Sequence, residues 1–145
     1  MNRVSNLILL IGDVLALSLF VFVGQADHRT VNAANPLLGA LPNIASLALP
    51  WLITAWLLQA YPRRELSLRS FLGRSLLAWL IAVPIGLAIR ALWLGRGGIP
   101  VPFLLVTFAV GGLFLVGWRT AYFWLATRGK KRSSADRSGA VAPHE

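Results

Sequence analysis

For chemistry, the 145 residues offer five carboxylates (Asp13, Asp27, Glu65, Asp136 and Glu145), two histidines (His28 and His144), fourteen arginines and lysines, and no cysteine. One carboxylate is in an unusual place. Asp13 interrupts LILLIGDVLALSLFVFVG, residues 7–24, a run otherwise suited to hydrocarbon. A carboxylate there must meet a cation, take up a proton or reach water. It could serve as a proton relay, a cation site or a catalytic acid, or belong to a fixed ion pair that sets helix register. Insertion survives the charge: thirteen Leu, Ile, Val and Phe residues between Leu7 and Val23 contribute roughly −0.3 to −0.6 kcal/mol each, against about +2.5 to +3.5 for one central aspartate.

Depth names a partner. Asp13 lies six residues after Leu7, and Arg119 lies six before Leu125 in the last apolar run. At 1.5 Å per residue each is about 9 Å from the same boundary. An Asp13–Arg119 pair across the first and fourth helices is therefore expected, the planar guanidinium matching the carboxylate. Gly12, Ala16, Gly111, Gly112 and Gly117 would let those helices approach.

A second polar group lies toward the opposite surface. Ala78, Ala82, Gly86 and Arg90 recur every fourth residue, a small-residue stripe ending in a cation. Asp27 and His28 follow the first helix on that side. Arg90 either meets Asp27, His28 or the connecting loop, or snorkels to lipid headgroups. Pro84 removes one backbone bond in the same helix and should kink it.

Enzyme chemistry has little else to use. The carboxylates are scattered, and no HExxH, serine elbow or P-loop is present. GRGG at residues 95–98 is a turn signal before Pro100. Without cysteine, disulfides and thiolate sites are excluded. No cofactor or metal site is expected.

These groups need elements to hold them. The chain is 57% apolar and only 13% charged, with charges clustered between long apolar runs, the profile of an integral membrane protein. Four runs reach spanning length: Leu7–Gly24, Leu41–Ala60, Phe71–Trp93 and Phe103–Leu125. Their short connections predict an all-α, antiparallel four-helix membrane bundle over residues 1–127. The first run is longer than a signal-peptide core and carries a charge, so it reads as a retained span. Arg3, Arg63, Arg64, Arg69, Arg74, Arg128, Lys130, Lys131, Arg132 and Arg137 fall on one side, and Arg29, Arg90 and Arg96 on the other. That asymmetry places both termini in the cytoplasm. The net charge of +9 then reports anionic lipid, not nucleic acid. Residues 128–145 read as a disordered tail whose basic start rests on that lipid. Trp93, Tyr61, Tyr122 and Trp124 fall at span ends as an interfacial belt. Trp51, Trp56, Trp79 and Trp118 lie deeper, as packing or lipid contacts.

Gly12 and Asp13 followed by Phe20, Gly24 and His28, then Pro50, Gly86 and Arg90, and Phe103 with GWR at residues 117–119, resemble the domain of unknown function 3054 family. The resemblance covers about Leu7 to Ala121. It implies a small bacterial or archaeal membrane protein with four predicted spans, and implies no activity. The reading that follows is a structural or accessory subunit, in a homo-oligomer or a larger membrane complex. The alternative is a small oligomeric transporter or channel using Asp13, with Arg90 and His28 lining its outer mouth.

Overall fold

The computed structural model of the chain describes residues 3–27, 35–61, 67–93, 95 and 98–139, with only the backbone described at residues 3, 4, 27 and 129–139. Helix α1 runs Arg3–Asp27, α2 Pro36–Leu57 and α3 Leu68–Trp93. The fourth span is one continuous helix in three parts: α4 Val101–Val106, a π-helical segment Thr107–Gly111, and α5 Gly112–Gly139. Among the described residues, four helices are long and apolar enough to cross a membrane: Ser5–Ala26, Pro36–Leu57, Leu68–Trp93 and Val101–Arg128.

Each span is apolar on both faces, as a helix solvated by lipid requires. In α1, Leu7, Ile11, Leu15, Leu19 and Val23 form an exposed stripe, while Leu9, Asp13, Leu17 and Val21 form the buried one. Stepping by four along one surface, the buried stripe carries Asp13 into the core.

Helix α2 starts earlier than the apolar run beginning at Leu41 indicates. Asn35 is extended and its side chain accepts a bond from the Leu38 amide at 3.2 Å, while Pro36 supplies a preset first turn. The helix ends at Leu57 in a Schellman turn. The Ala60 amide donates to the Ala55 carbonyl at 2.8 Å and the Gln59 amide to Trp56 at 3.1 Å, with Gln59 in the left-handed region at φ 53°. Helix α3 continues through Pro84 without interruption. Of the tail expected over residues 128–145, the part described, to Gly139, has helical backbone continuous with α5. A span that is already helical propagates cheaply through Lys and Arg, since the costly nucleus is in place.

The contacts fix an antiparallel packing. Between α1 and α5, Tyr122 meets Ser5, Trp118 meets Leu9 and Arg119 meets Asp13. Between α2 and α3, Arg90 meets Asn43, Thr54 meets Ala78 and Arg74 meets Gln59. In both sets the lowest number on one side meets the highest on the other, Ser5 with Tyr122 and Asn43 with Arg90. The core at their centre holds Leu17, Leu47, Trp51, Ala78, Trp79, Ala82 and Leu115.

Small residues set three close approaches. A Cβ at position 86 would lie 2.5 Å from the Ser46 carbonyl oxygen, so Gly86 brings the α2 and α3 backbones together. Gly12 leaves room for the Trp118 ring. Gly111 and Gly112 accept the Trp79 ring of α3, whose indole N–H donates to the Phe108 carbonyl on the π segment at 3.1 Å. Gly111 also faces Phe20, but chiefly these two glycines seat α3 and not α1. Gly117 departs from expectation: it is exposed, and nothing lies where its Cβ would project.

Candidate functional site

Every span contributes to one buried polar cluster. From α1, Asp13 projects into the core, and from α5, Arg119 reaches it; both are 0% exposed. Arg119 grips the carboxylate with two nitrogens: Nε donates to Oδ1 at 3.0 Å and Nη2 to Oδ2 at 2.6 Å. The Oδ2 atom accepts two more bonds, from the Trp51 indole at 3.2 Å and the Tyr61 hydroxyl at 2.6 Å. Arg119 Nη1 donates to the Ala60 carbonyl and to Ser75 Oγ, each at 2.9 Å. Ser75 in turn donates to Phe71 O at 2.7 Å. The guanidinium carbon lies 4.8 Å from the Trp51 ring centroid, 5.0 Å from Tyr61 and 5.3 Å from Phe71.

Local folding explains each partner. The Schellman turn exposes the Ala60 carbonyl to Arg119 and swings Tyr61 back over the carboxylate, while Arg74 Nη1 holds Gln59 through its carbonyl at 3.4 Å and Oε1 at 3.3 Å. Burial, and behind it the negative charge of Asp13, push the Tyr61 phenol well above its ordinary range, so it stays a donor. Planar cation, carboxylate and neutral donors thus satisfy one another around two fully buried ions, the condition under which a buried pair is tolerated. A carboxylate engaged at both oxygens is a poor carrier, since moving a proton or cation through it means stripping those bonds.

The structure brings Asp13 and Arg119 together. At the other end, Arg90 is half-buried; its Nε donates to Asn43 Oδ1 at 2.8 Å, and its guanidinium lies 4.7 Å from the Phe103 centroid. His28 and the side chain of Asp27 lie outside the described residues. Arg90 belongs to a cavity of about 360 Å³ between α1, α2, α3 and the start of α4, lined also by Phe20, Gly24, Gln25, Asn43, Leu47 and Phe103. Among the described residues, no three histidine, aspartate or glutamate side chains gather as metal ligands.

Trp51, Tyr61, Ser75 and Asn43 are the site residues that sequence spacing missed. Tyr61 lies near a span end as a belt residue would, but turns inward. Ser75 follows Phe71 and Arg74 with no signal of its own. Asn43, an amide beside Pro42 near the start of an apolar run, was the one visible sign. Trp56 and Trp93 face outward, at 66% and 76% exposure, and Arg128 stacks 3.3 Å from the Trp124 ring centroid.

Four spanning-length helices around a satisfied ion pair define an all-α fold of the multi-pass membrane class. The particular family follows from the sequence: the chain belongs to the family described as a protein of unknown function (DUF3054), which matches residues 10–122. No curated protein and no solved structure matches the chain.

Proposed function

We propose that the chain is a structural or accessory subunit of the bacterial cytoplasmic membrane, with both ends of its four-span domain on the cytoplasmic side. The observation that carries this reading is the saturated carboxylate of Asp13, held by Arg119, Trp51 and Tyr61 without exposure. Such a pair fixes helix register instead of carrying a cargo. The exposed Leu, Ile, Val and Trp side chains on all four spans give apolar faces for lipid, a second copy or the helices of a larger complex. Orientation is supported by the excess of Lys and Arg on the side of Arg3, Arg69, Arg74 and Arg128. On that side the basic segment from Arg128 to Arg132 rests on anionic headgroups.

Two measurements test the role. The tagged full chain, extracted in mild detergent, should carry a partner at constant stoichiometry through successive purification steps, or form a defined homo-oligomer. In proteoliposomes, wild type and Asp13→Asn should show equal, background proton and cation flux. A flux that depends on Asp13 would overturn the reading in favour of a transporter.

A further inference from the structure

The cavity at the Arg90 end is graded in polarity along the bundle axis. Arg90, Asn43 and Gln25 lie toward the helix ends, while Phe20 and Leu47 lie about a turn deeper. Among the described lining residues Arg90 alone carries charge. Its guanidinium is held in place, with Nε on Asn43 and one face over Phe103, so little order is lost when a ligand engages it. The space is open at Gly24, where a Cβ would meet nothing within 4 Å. A volume of about 360 Å³ lies at the small end for ligand sites, enough for one chain or a small ring system but not for a two-chain lipid.

We propose that this cavity binds a single-chain amphiphile with an anionic head, the Arg90 guanidinium taking the head and Phe20, Leu47 and Phe103 the chain. A carboxylate or phosphate suits the planar donor fork of arginine. The head joins or exchanges with the present partners of Arg90, Asn43 among them. The ligand sits as a lipid does in one leaflet, head at the boundary and tail toward the midplane. The proposal rests on the membrane embedding above and is independent of the subunit role. Recovery of the chain in the soluble fraction would remove the embedding, whereas failure to bind would remove only the ligand site.

The test is native mass spectrometry of the full chain released from non-ionic detergent, titrated with dodecanoate, dodecyl phosphate, inorganic phosphate and dodecyltrimethylammonium. One dodecanoate or dodecyl phosphate should bind per chain, the preferred head identifying the ligand source. Inorganic phosphate and the cationic probe should bind far more weakly. Arg90→Gln should lower affinity for the preferred anion about 10- to 100-fold, the loss of one charge-assisted contact. Gly24→Leu fills the cavity from a position with room for it and should abolish binding with Arg90 intact, which keeps the test decisive if Arg90→Gln misfolds. Equal binding of anionic and cationic probes, unchanged affinity in Gly24→Leu, or no one-to-one adduct in wild type each overturns the proposal.

Discussion

Replacing Asp13 by alanine should be more damaging than removing its partner, and at least as damaging as removing both. Asp13→Ala takes the acceptor from four donors: Arg119 Nε and Nη2, the Trp51 indole and the Tyr61 hydroxyl. The guanidinium cannot shed its charge and keeps only Ala60 O and Ser75 Oγ as described acceptors. An uncompensated buried charge costs about 3–5 kcal/mol, a large part of a total stability of roughly 5–15 kcal/mol. Arg119→Ala leaves a carboxylate that still accepts from Trp51 and Tyr61, so its loss falls at the lower end of that range. The double variant buries neither charge. It should be no less stable than Asp13→Ala alone, a coupling of at least about 3 kcal/mol. Unfolding of the four proteins in a detergent–SDS titration, followed by far-ultraviolet circular dichroism, reads this directly. Losses that simply add in the double variant would refute the claim that the two ions neutralise one another in the core.

Tyr61→Phe removes one charge-assisted bond to Asp13 and should cost about 1.5–3 kcal/mol in the same titration. Because the phenol is raised in the folded chain, its contribution is whole below about pH 10 and fades as pH rises above it, where the unfolded chain's phenol ionises first. Wild type should therefore show an alkaline loss of stability that Tyr61→Phe lacks. Gly86→Ala places a methyl against the Ser46 carbonyl and should destabilise by roughly 1–3 kcal/mol. Gly73→Ala meets open space and should raise stability by up to about 1 kcal/mol, a matched control read by thermal melting. Gln59→Gly relieves the left-handed backbone, worth about 1 kcal/mol, and gives up only the exposed side-chain bond from Arg74; the melting midpoint should hold or rise.

The four spans were legible because length and charge clustering act over twenty residues at once. The meeting of Asp13 with Arg119 was legible because two intramembrane charges at one depth have few alternatives. Their neutral partners were not, since Trp51 reads as an apolar anchor until its N–H is aimed, and Tyr61 reads as belt until a Schellman turn folds it inward. That turn uses Gln59 where glycine is usual, so the sequence carries no mark of it. The start of α2 did carry a mark: Asn35-Pro36 is a cap and a first turn, but the apolar run alone points to Leu41. At the π segment Thr107–Gly111, Trp79 bonds the Phe108 carbonyl and packs on Gly111 and Gly112, tertiary contacts with no local pattern in the sequence. Gly117 shows the converse: a small residue beside Trp118 suggests close packing, yet its side of the helix faces outward.

The polar cement is distributed unequally along the bundle. Separating the helices near Asp13 strands an arginine in a dry interior, whereas separating them near Arg90 breaks the amide contact with Asn43 and loosens the packing around an existing void. The assembly is thus pinned at one extremity like a pair of tweezers. Parting the tips leaves no fully buried charge without its partner, so a guest would enter more cheaply there than at the joint.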